Sequence, residues 1–221
     1  MIKREVERAR LRRSFEAMLS GAVDAFLSER GFERSGNDFE RHRGPLRDRI
    51  NFQNNWHNGV TPWHGFFVNV GVGSAEVDAA CPGHEHQLHP PESFLLDRRW
   101  ESLAPGAPYE LRFDRNTDMV AFADGVCADL GRTLSAIESI QSTQHLVQYA
   151  VENNLLIAYE ATCCYLATTG DMDTLTRYVA LLHRAFGHQE RWSIFGSRIS
   201  DVVGKRASAL SARGLLIAAG S

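Results

Sequence analysis

Four side chains have the types and spacing to present hydrogen-bonding chemistry on one surface. Arg49, Asn51 and Gln53 alternate with Ile50 and Phe52, and Asn69 alternates with Val68 and Val70. A strand at each place therefore sends the polar set to one face and the apolar set to the other. An amide donates and accepts at once, which suits a peptide, a nucleobase or a sugar. Trp56, Trp63, Phe67 and Trp100 lie in or near the same region, and aromatic rings beside amides are the usual makings of a protein contact. The competing assignment is that helices cover this face and the amides satisfy buried backbone groups.

A second set has metal-ligand chemistry. Cys81, His84, His86 and His89 offer one thiol and three imidazoles within nine residues, ligands that zinc accepts. His57 and His64 flank an uncharged loop and can join His84 and His86 in space, leaving an open position for a hydrolytic water. Glu76, Asp78 and Glu85 are near enough in sequence to act as base. However, His84-Glu85 is followed by histidine at 89 rather than 88, and Pro82, Pro90 and Pro91 oppose the helix that the zinc-protease motif requires. The favoured expectation is a solvated histidine loop and no cofactor. A third set, Arg8, Arg10, Arg12 and Arg13, can meet phosphate, but Glu5, Glu7 and Glu16 are interleaved and pair at helical spacing.

Composition narrows these readings. The 221 residues carry 24 basic and 27 acidic side chains, a net charge of -3, which argues against a nucleic-acid binder. Residues 1–50 hold 12 basic and 9 acidic groups, leaving -6 for the remainder, a polarity rather than a basic tail. Cys163 and Cys164 fall in an apolar run, where free thiols pack as small hydrophobes, and a cytoplasmic, reducing setting is expected. Glu16 and Asp24 interrupt the N-terminal segment, so it does not read as a signal peptide, and no apolar run is long enough to span a membrane. There is no phosphate loop; Gly71-Val72-Gly73 lacks a third glycine at 76; no Gly-x-Ser-x-Gly or Cys-x-x-Cys occurs.

The elements that must position these groups follow from periodicity. Leu11, Phe15, Met18, Leu19, Ala22 and Phe26 form one helical stripe that Gly31 can end. Strands are expected near 38–43, 47–54, 65–72 and 109–113, with Gly44-Pro45 as a turn and Tyr109, Leu111 and Phe113 facing the core. Residues 51–75 contain no charged side chain and read as a hairpin with a loop from Asn54 to His64. A short helix is expected around Glu92 to Trp100. Thr117 can cap a helix beginning at Met119, a second run spans Thr143 to Thr169, Asp171 or Asp173 can cap a third through Phe186, and a last runs from Gln189 to Leu216. The fold class is therefore α+β: an antiparallel sheet of about four strands packed with helices in residues 1–140, and a helical extension, 141–221, docked on it.

Arg30-Gly31-Phe32, Phe39-Glu40-Arg41, Ile50-Asn51-Phe52-Gln53 and Phe67-Val68-Asn69-Val70-Gly71 stand in an order and spacing that resemble the bacterial family called domain of unknown function 4304. The resemblance continues through Asp97 to Leu103 and a helix ending near Ser139, covering roughly residues 10–140. It implies an α+β fold and a bacterial cytoplasmic setting, and it brings no catalytic residue. The resulting expectation is a non-enzymatic interaction protein, adaptor or immunity-like, that binds a protein partner through Arg49, Asn51, Gln53, Asn69, Trp56 and Trp63. The alternatives are a metal-dependent hydrolase using His57, His64, His84 and His86 with zinc, and nucleic-acid binding through the first helix.

Overall fold

The first apolar stripe is used as its spacing predicts, but only in part. In the computed structural model, which describes residues 2–80, 94–153 and 156–216, helix α1 spans Ile2–Met18, a π-helical turn Leu19–Val23 follows, and α2 spans Asp24–Ser28. Leu11, Phe15, Met18 and Leu19 are buried. Beyond them Val23 and Leu27 are fully buried, whereas Ala22 is exposed and Phe26 half-buried. The π turn adds one residue to the helical repeat, so the inward face moves on by one position. Gly31, at φ +82°, then ends the helix in the left-handed conformation, with the Phe32 amide donating to the Leu27 carbonyl at 3.1 Å.

The strands are β1 Glu33–Ser35, β2 Asp38–Arg43, β3 Leu46–Asn54 and β4 His64–Ser74, then, after helix α3 Ala75–Ala80, β5 Phe94–Arg99 and β6 Leu111–Phe113. They form one sheet in the order β1-β2-β3-β4-β5, with β6 also paired to β4. Arg43 pairs with Leu46, so only Gly44 and Pro45 make the turn, and Gly44 supplies the positive φ of +60° that a two-residue hairpin needs. That turn fixes the register Asp38↔Asn51, Phe39↔Ile50, Glu40↔Arg49 and Arg41↔Asp48. Phe39, Ile50, Phe52, Phe66, Val68 and Val70 are all fully buried on the inner face. Their rings run on into the first helix, with centroids 5.7 Å apart for Phe39 and Phe52, 5.9 Å for Phe52 and Phe66, and 5.1 Å for Phe66 and Phe15. Each such side chain contributes about 1.5–3 kcal/mol by leaving water.

Three sequence expectations are corrected in this part of the chain. Among the described residues the sheet has six strands rather than about four. From Phe94 on, the segment expected as a helix around Glu92 to Trp100 is strand β5, followed by a 3-10 turn Trp100–Ser102, and the residues before Phe94 lie outside those described; Phe94, Leu95 and Leu96 are buried in succession, which a strand covered on both faces allows. Tyr109 lies outside β6 and is 61% exposed, because the strand begins only at Leu111 and the preceding Pro108 carbonyl accepts from Trp100 Nε1 at 2.8 Å.

The chain divides into two compact units, Met1–Val72 with Asp97–Ile140, and Gly73–Leu96 with Gln141–Ser221. The first includes helix α4, Met119–Glu138. Its N-cap is Asp118 rather than Thr117: Asp118 accepts from the Val120 and Ala121 amides, while the Thr117 hydroxyl donates to Asp114 Oδ1 at 3.1 Å. At the far end of α4, Arg43 donates to the carbonyl of Ile140 at 2.9 Å, and Arg41 donates to Glu138 at 2.8 Å and to the Arg30 carbonyl at 3.1 Å. Both arginines also hold Asp48, which is fully buried.

The second unit contains α5 Thr143–Glu152, α6 Tyr159–Thr169, α7 Met172–Phe186, α8 Trp192–Val203 and α9 Ala207–Ser211. The single run expected from Thr143 to Thr169 is two helices, broken before Ala158, which adopts a left-handed φ of +56°. Asp171 caps α7 by accepting from the Thr174 amide at 3.1 Å, and Gly204 ends α8. Cys163 is a buried free thiol, whereas Cys164 is disulfide-bonded, so the expectation of two free thiols fails at the second position. Among the described residues no helix is long and apolar enough to cross a membrane. The architecture is α+β with a helical C-terminal region.

Candidate functional site

Strand alternation places Arg49, Asn51 and Gln53 of β3 and Asn69 of β4 on the outer sheet face, opposite the buried inner set. The register then adds a member that the sequence reading omitted. Asp38, paired with Asn51 across the hairpin, accepts from Asn51 Nδ2 at 2.8 Å. Asn51 Oδ1 in turn accepts from Asn69 Nδ2 at 2.9 Å, and the same amino group reaches Gln53 Oε1 at 3.2 Å. Asn51 is engaged at both ends of its amide. Gln53 keeps its amino group and Asn69 its carbonyl without a hydrogen-bond partner among the described residues, a donor and an acceptor side by side. Arg49 is half-buried, with its guanidinium 3.7 Å from Asp97 on β5.

The two tryptophans belong to a loop that is built to hold still. Asn55 is buried; it accepts from the His57 amide at 2.8 Å and donates to Glu110, while its own amide donates to the Gly65 carbonyl at 2.9 Å. Asn58 reproduces a strand pairing with its side chain, taking the Gly65 amide and donating to the Gly65 carbonyl, both at 2.7 Å. Thr61 donates to the Trp63 carbonyl at 2.8 Å. Gly65 is required here, because a Cβ would stand 2.7 Å from the Trp63 ring and collide with the Glu110 carboxylate. Glu110 is held below the usual carboxylate range chiefly by hydrogen bonds from Arg112, whose guanidinium lies 4.2 Å over the Trp63 ring. Trp63 is thus half-buried, whereas Trp56 packs, among the described residues, on His57 alone, with ring centroids 3.7 Å apart, and is 85% exposed.

The histidines proposed as metal ligands are put to different uses. His64 is buried between Phe15 and Phe113, at 4.8 and 5.3 Å, with Nε2 2.9 Å from Asn54 Oδ1, and burial pushes its pKa down to about 4. His57 is the half-buried support of Trp56. His84, His86 and the rest of the Cys81 to His89 segment lie outside the described residues, and among the described residues no group of three or more His, Cys, Asp or Glu is placed to hold a metal ion. On the first helix Arg8, Arg10, Arg12 and Arg13 are exposed, and Glu16 pairs with Arg34 at 3.5 Å rather than within the helix.

Sequence reasoning missed Asp38, Asn55, Asn58, Asp97, Glu110 and Arg112. A signal existed for two pairs: the two-residue turn at Gly44-Pro45 counts Asp38 across to Asn51, and Glu110 and Arg112 alternate around Leu111. A family model described as Domain of unknown function (DUF4304) matches residues 23–148, which takes in the sheet, α2, α4 and part of α5 and leaves out all of α1. No curated protein and no solved structure matches the chain.

Proposed function

The chain belongs to that family of unknown function, whose name assigns no activity, and we propose from the geometry that it is a non-enzymatic binding protein, an adaptor or a neutralising protein, that holds another protein against the outer face of its sheet. The observation that carries this reading is Trp56. A tryptophan in water contributes little to the fold, yet the loop beneath it is fixed by the side chains of Asn55, Asn58 and Thr61. An aromatic group already ordered before contact loses little entropy on docking, and tryptophan is among the residues that dominate interface energies. The partner is a protein with an apolar pocket for Trp56 and an extended backbone segment whose amide group matches the free donor of Gln53 and the free acceptor of Asn69.

The test is affinity capture from the source cells followed by titration of the purified candidate partner. Wild type, Trp56→Ala and the double variant Gln53→Ala/Asn69→Ala are compared after circular dichroism shows the three folds to be alike. The reading expects one saturable complex that Trp56→Ala weakens by about tenfold or more, with a smaller loss for the double variant. A complex that forms equally well with all three chains would place the contact elsewhere.

A further inference from the structure

The outer sheet face carries a second ordered feature beside the amide pair. Phe67 stands two residues before Asn69 on β4, so strand alternation sends it to the same face, roughly 6–7 Å along the strand. Its ring meets that of Tyr109 edge-on, with centroids 5.4 Å apart, and Tyr109 is 61% exposed. The Arg99 guanidinium lies 4.3 Å from the centre of the Phe67 ring and 5.9 Å from that of Tyr109. Contact with ring faces holds a guanidinium through its charge and satisfies none of its N–H donors with an oxygen. The neighbouring carboxylates are already engaged: Asp97 stands 3.7 Å from Arg49, and Glu110 is taken by Arg112 and Asn55. Arg99 donates no hydrogen bond and meets no carboxylate among the described residues. Its Nη1 is shut off from solvent, but the side chain as a whole is half-buried, and Nε and Nη2 are not occluded.

Nε and Nη2 carry the two parallel N–H bonds that take a carboxylate side-on, and an arginine already fixed on aromatic rings loses little freedom when it does so. We propose that the partner segment held by Gln53 and Asn69 is acidic, with the carboxylate of an Asp or Glu side chain on Arg99 and adjacent apolar side chains against Phe67 and Tyr109. This rests on the reading of the outer face as a docking surface and adds the chemistry of its occupant. The acidic residue stands about two positions from the backbone amide that Gln53 and Asn69 take, because an extended ligand advances at the same rise as the strand that separates Phe67 from Asn69. A neutral segment leaves Arg99 unmatched, and a basic one is repelled by it.

Two end-blocked peptides, acetyl-Val-Glu-Val-Glu-Val-amide and acetyl-Val-Gln-Val-Gln-Val-amide, titrated into the isotope-labelled intact chain and followed by NMR, test this. Alternation puts both Glu side chains on one side of the extended peptide, so one of them reaches Arg99 in either register. The expected result is saturable shifts of the Arg99 Nε–H and of the Gln53 and Asn69 amide signals, with the Gln peptide bound about fivefold or more weakly. Arg99→Gln should weaken the Glu peptide by as much and abolish the difference between the two peptides. Arg99→Lys, which keeps the charge and loses the fork, should recover part of the preference, which separates loss of the contact from loss of the fold. Arg10→Gln removes an exposed charge from α1, on the opposite side of the sheet, and should leave both affinities as they are. No saturable shift at millimolar Glu peptide, affinities within about twofold, or a preference that survives Arg99→Gln would overturn the proposal. So would acetate bound at Arg99 as tightly as the Glu peptide. A purified partner complex weakened by Trp56→Ala but indifferent to Arg99→Gln would sink the acidic segment and keep the docking surface, whereas one indifferent to Trp56→Ala and to Gln53→Ala/Asn69→Ala would sink the docking surface itself.

Discussion

Strands β2 and β3 carry a polar network on each of their faces, and the two are put together differently. On the inner face Asp48 accepts from Arg41 Nε at 2.8 Å and from Arg43 Nε and Nη2 at 2.7 and 2.9 Å. The remaining guanidinium donors run on to the Arg30 and Ile140 carbonyls and to Glu138, near the ends of α2 and α4. On the outer face Asp38, Asn51, Asn69 and Gln53 make a similar cross-strand chain, but it ends on a free donor and a free acceptor. The difference separates two uses of the same chemistry. A network that closes on itself fixes helices to a sheet, and one that ends in unmet groups is available to something else.

The contrast is broken or sharpened first at Asp48. Replacing it with Ala leaves two largely buried guanidiniums without their shared anion, and the expected loss is about 3–5 kcal/mol in urea unfolding. A loss below about 1 kcal/mol would mean that the inner network is no more structural than the outer one.

His64, another polar group on the inner face, tests the same contrast through pH. Its pKa in the folded chain is about 4 against an ordinary 6.5, so the unfolded chain takes up the proton first as pH falls. The stabilisation from burying the neutral ring is therefore complete above about pH 6.5 and is lost as pH falls toward about 4, by on the order of 2–3 kcal/mol. Urea midpoints at pH 7 and 4.5 should differ more for wild type than for His64→Gln. Equal differences would show that the ring titrates as it does in water.

The smallest expected effect belongs to the outer ladder. Gln53→Ala with Asn69→Ala should change stability by no more than about 0.5 kcal/mol, because half-exposed amides are rehydrated when the chain of bonds is cut. A loss above about 1 kcal/mol would place both faces in the structural class and remove the case for a recognition surface.

Much of the sheet was legible because strand alternation and the Gly44-Pro45 turn are local signals. Ile50, Phe52, Phe66, Val68 and Val70 needed only period two, and the same period put Arg49, Asn51, Gln53 and Asn69 together on the other face. The inner charges were not legible in the same way: Arg41, Arg43 and Asp48 occupy inward positions of β2 and β3, and only their register with one another and with α4 shows that they satisfy each other. The loop after β3 was visible as an uncharged stretch, and Asn55, Asn58 and Thr61 fix it from within, but Glu110 and Arg112, which also hold it, lie far along the chain. Phe94 to Leu96 is a short apolar run that suits a buried strand or a helix equally, and its place in the sheet decides the matter. The break between α5 and α6 carries neither Pro nor Gly, and Ala158 gives no sign in advance of a left-handed backbone.

The π turn at Leu19–Val23 matters for comparing this chain with others. In an alignment it behaves as a one-residue insertion inside a helix, at a place where gaps are ordinarily refused. A relative without it would match α1 and α2 equally well on either side of a single gap, yet forced into an ungapped alignment it would set its inward residues against Ala22 and Phe26. Substitution patterns at positions 22, 23, 26 and 27 would then mix core and surface columns. Placing the gap within residues 19–23 restores Val23 and Leu27 to the core columns, and the family match, which begins at residue 23, starts just where that frame resumes.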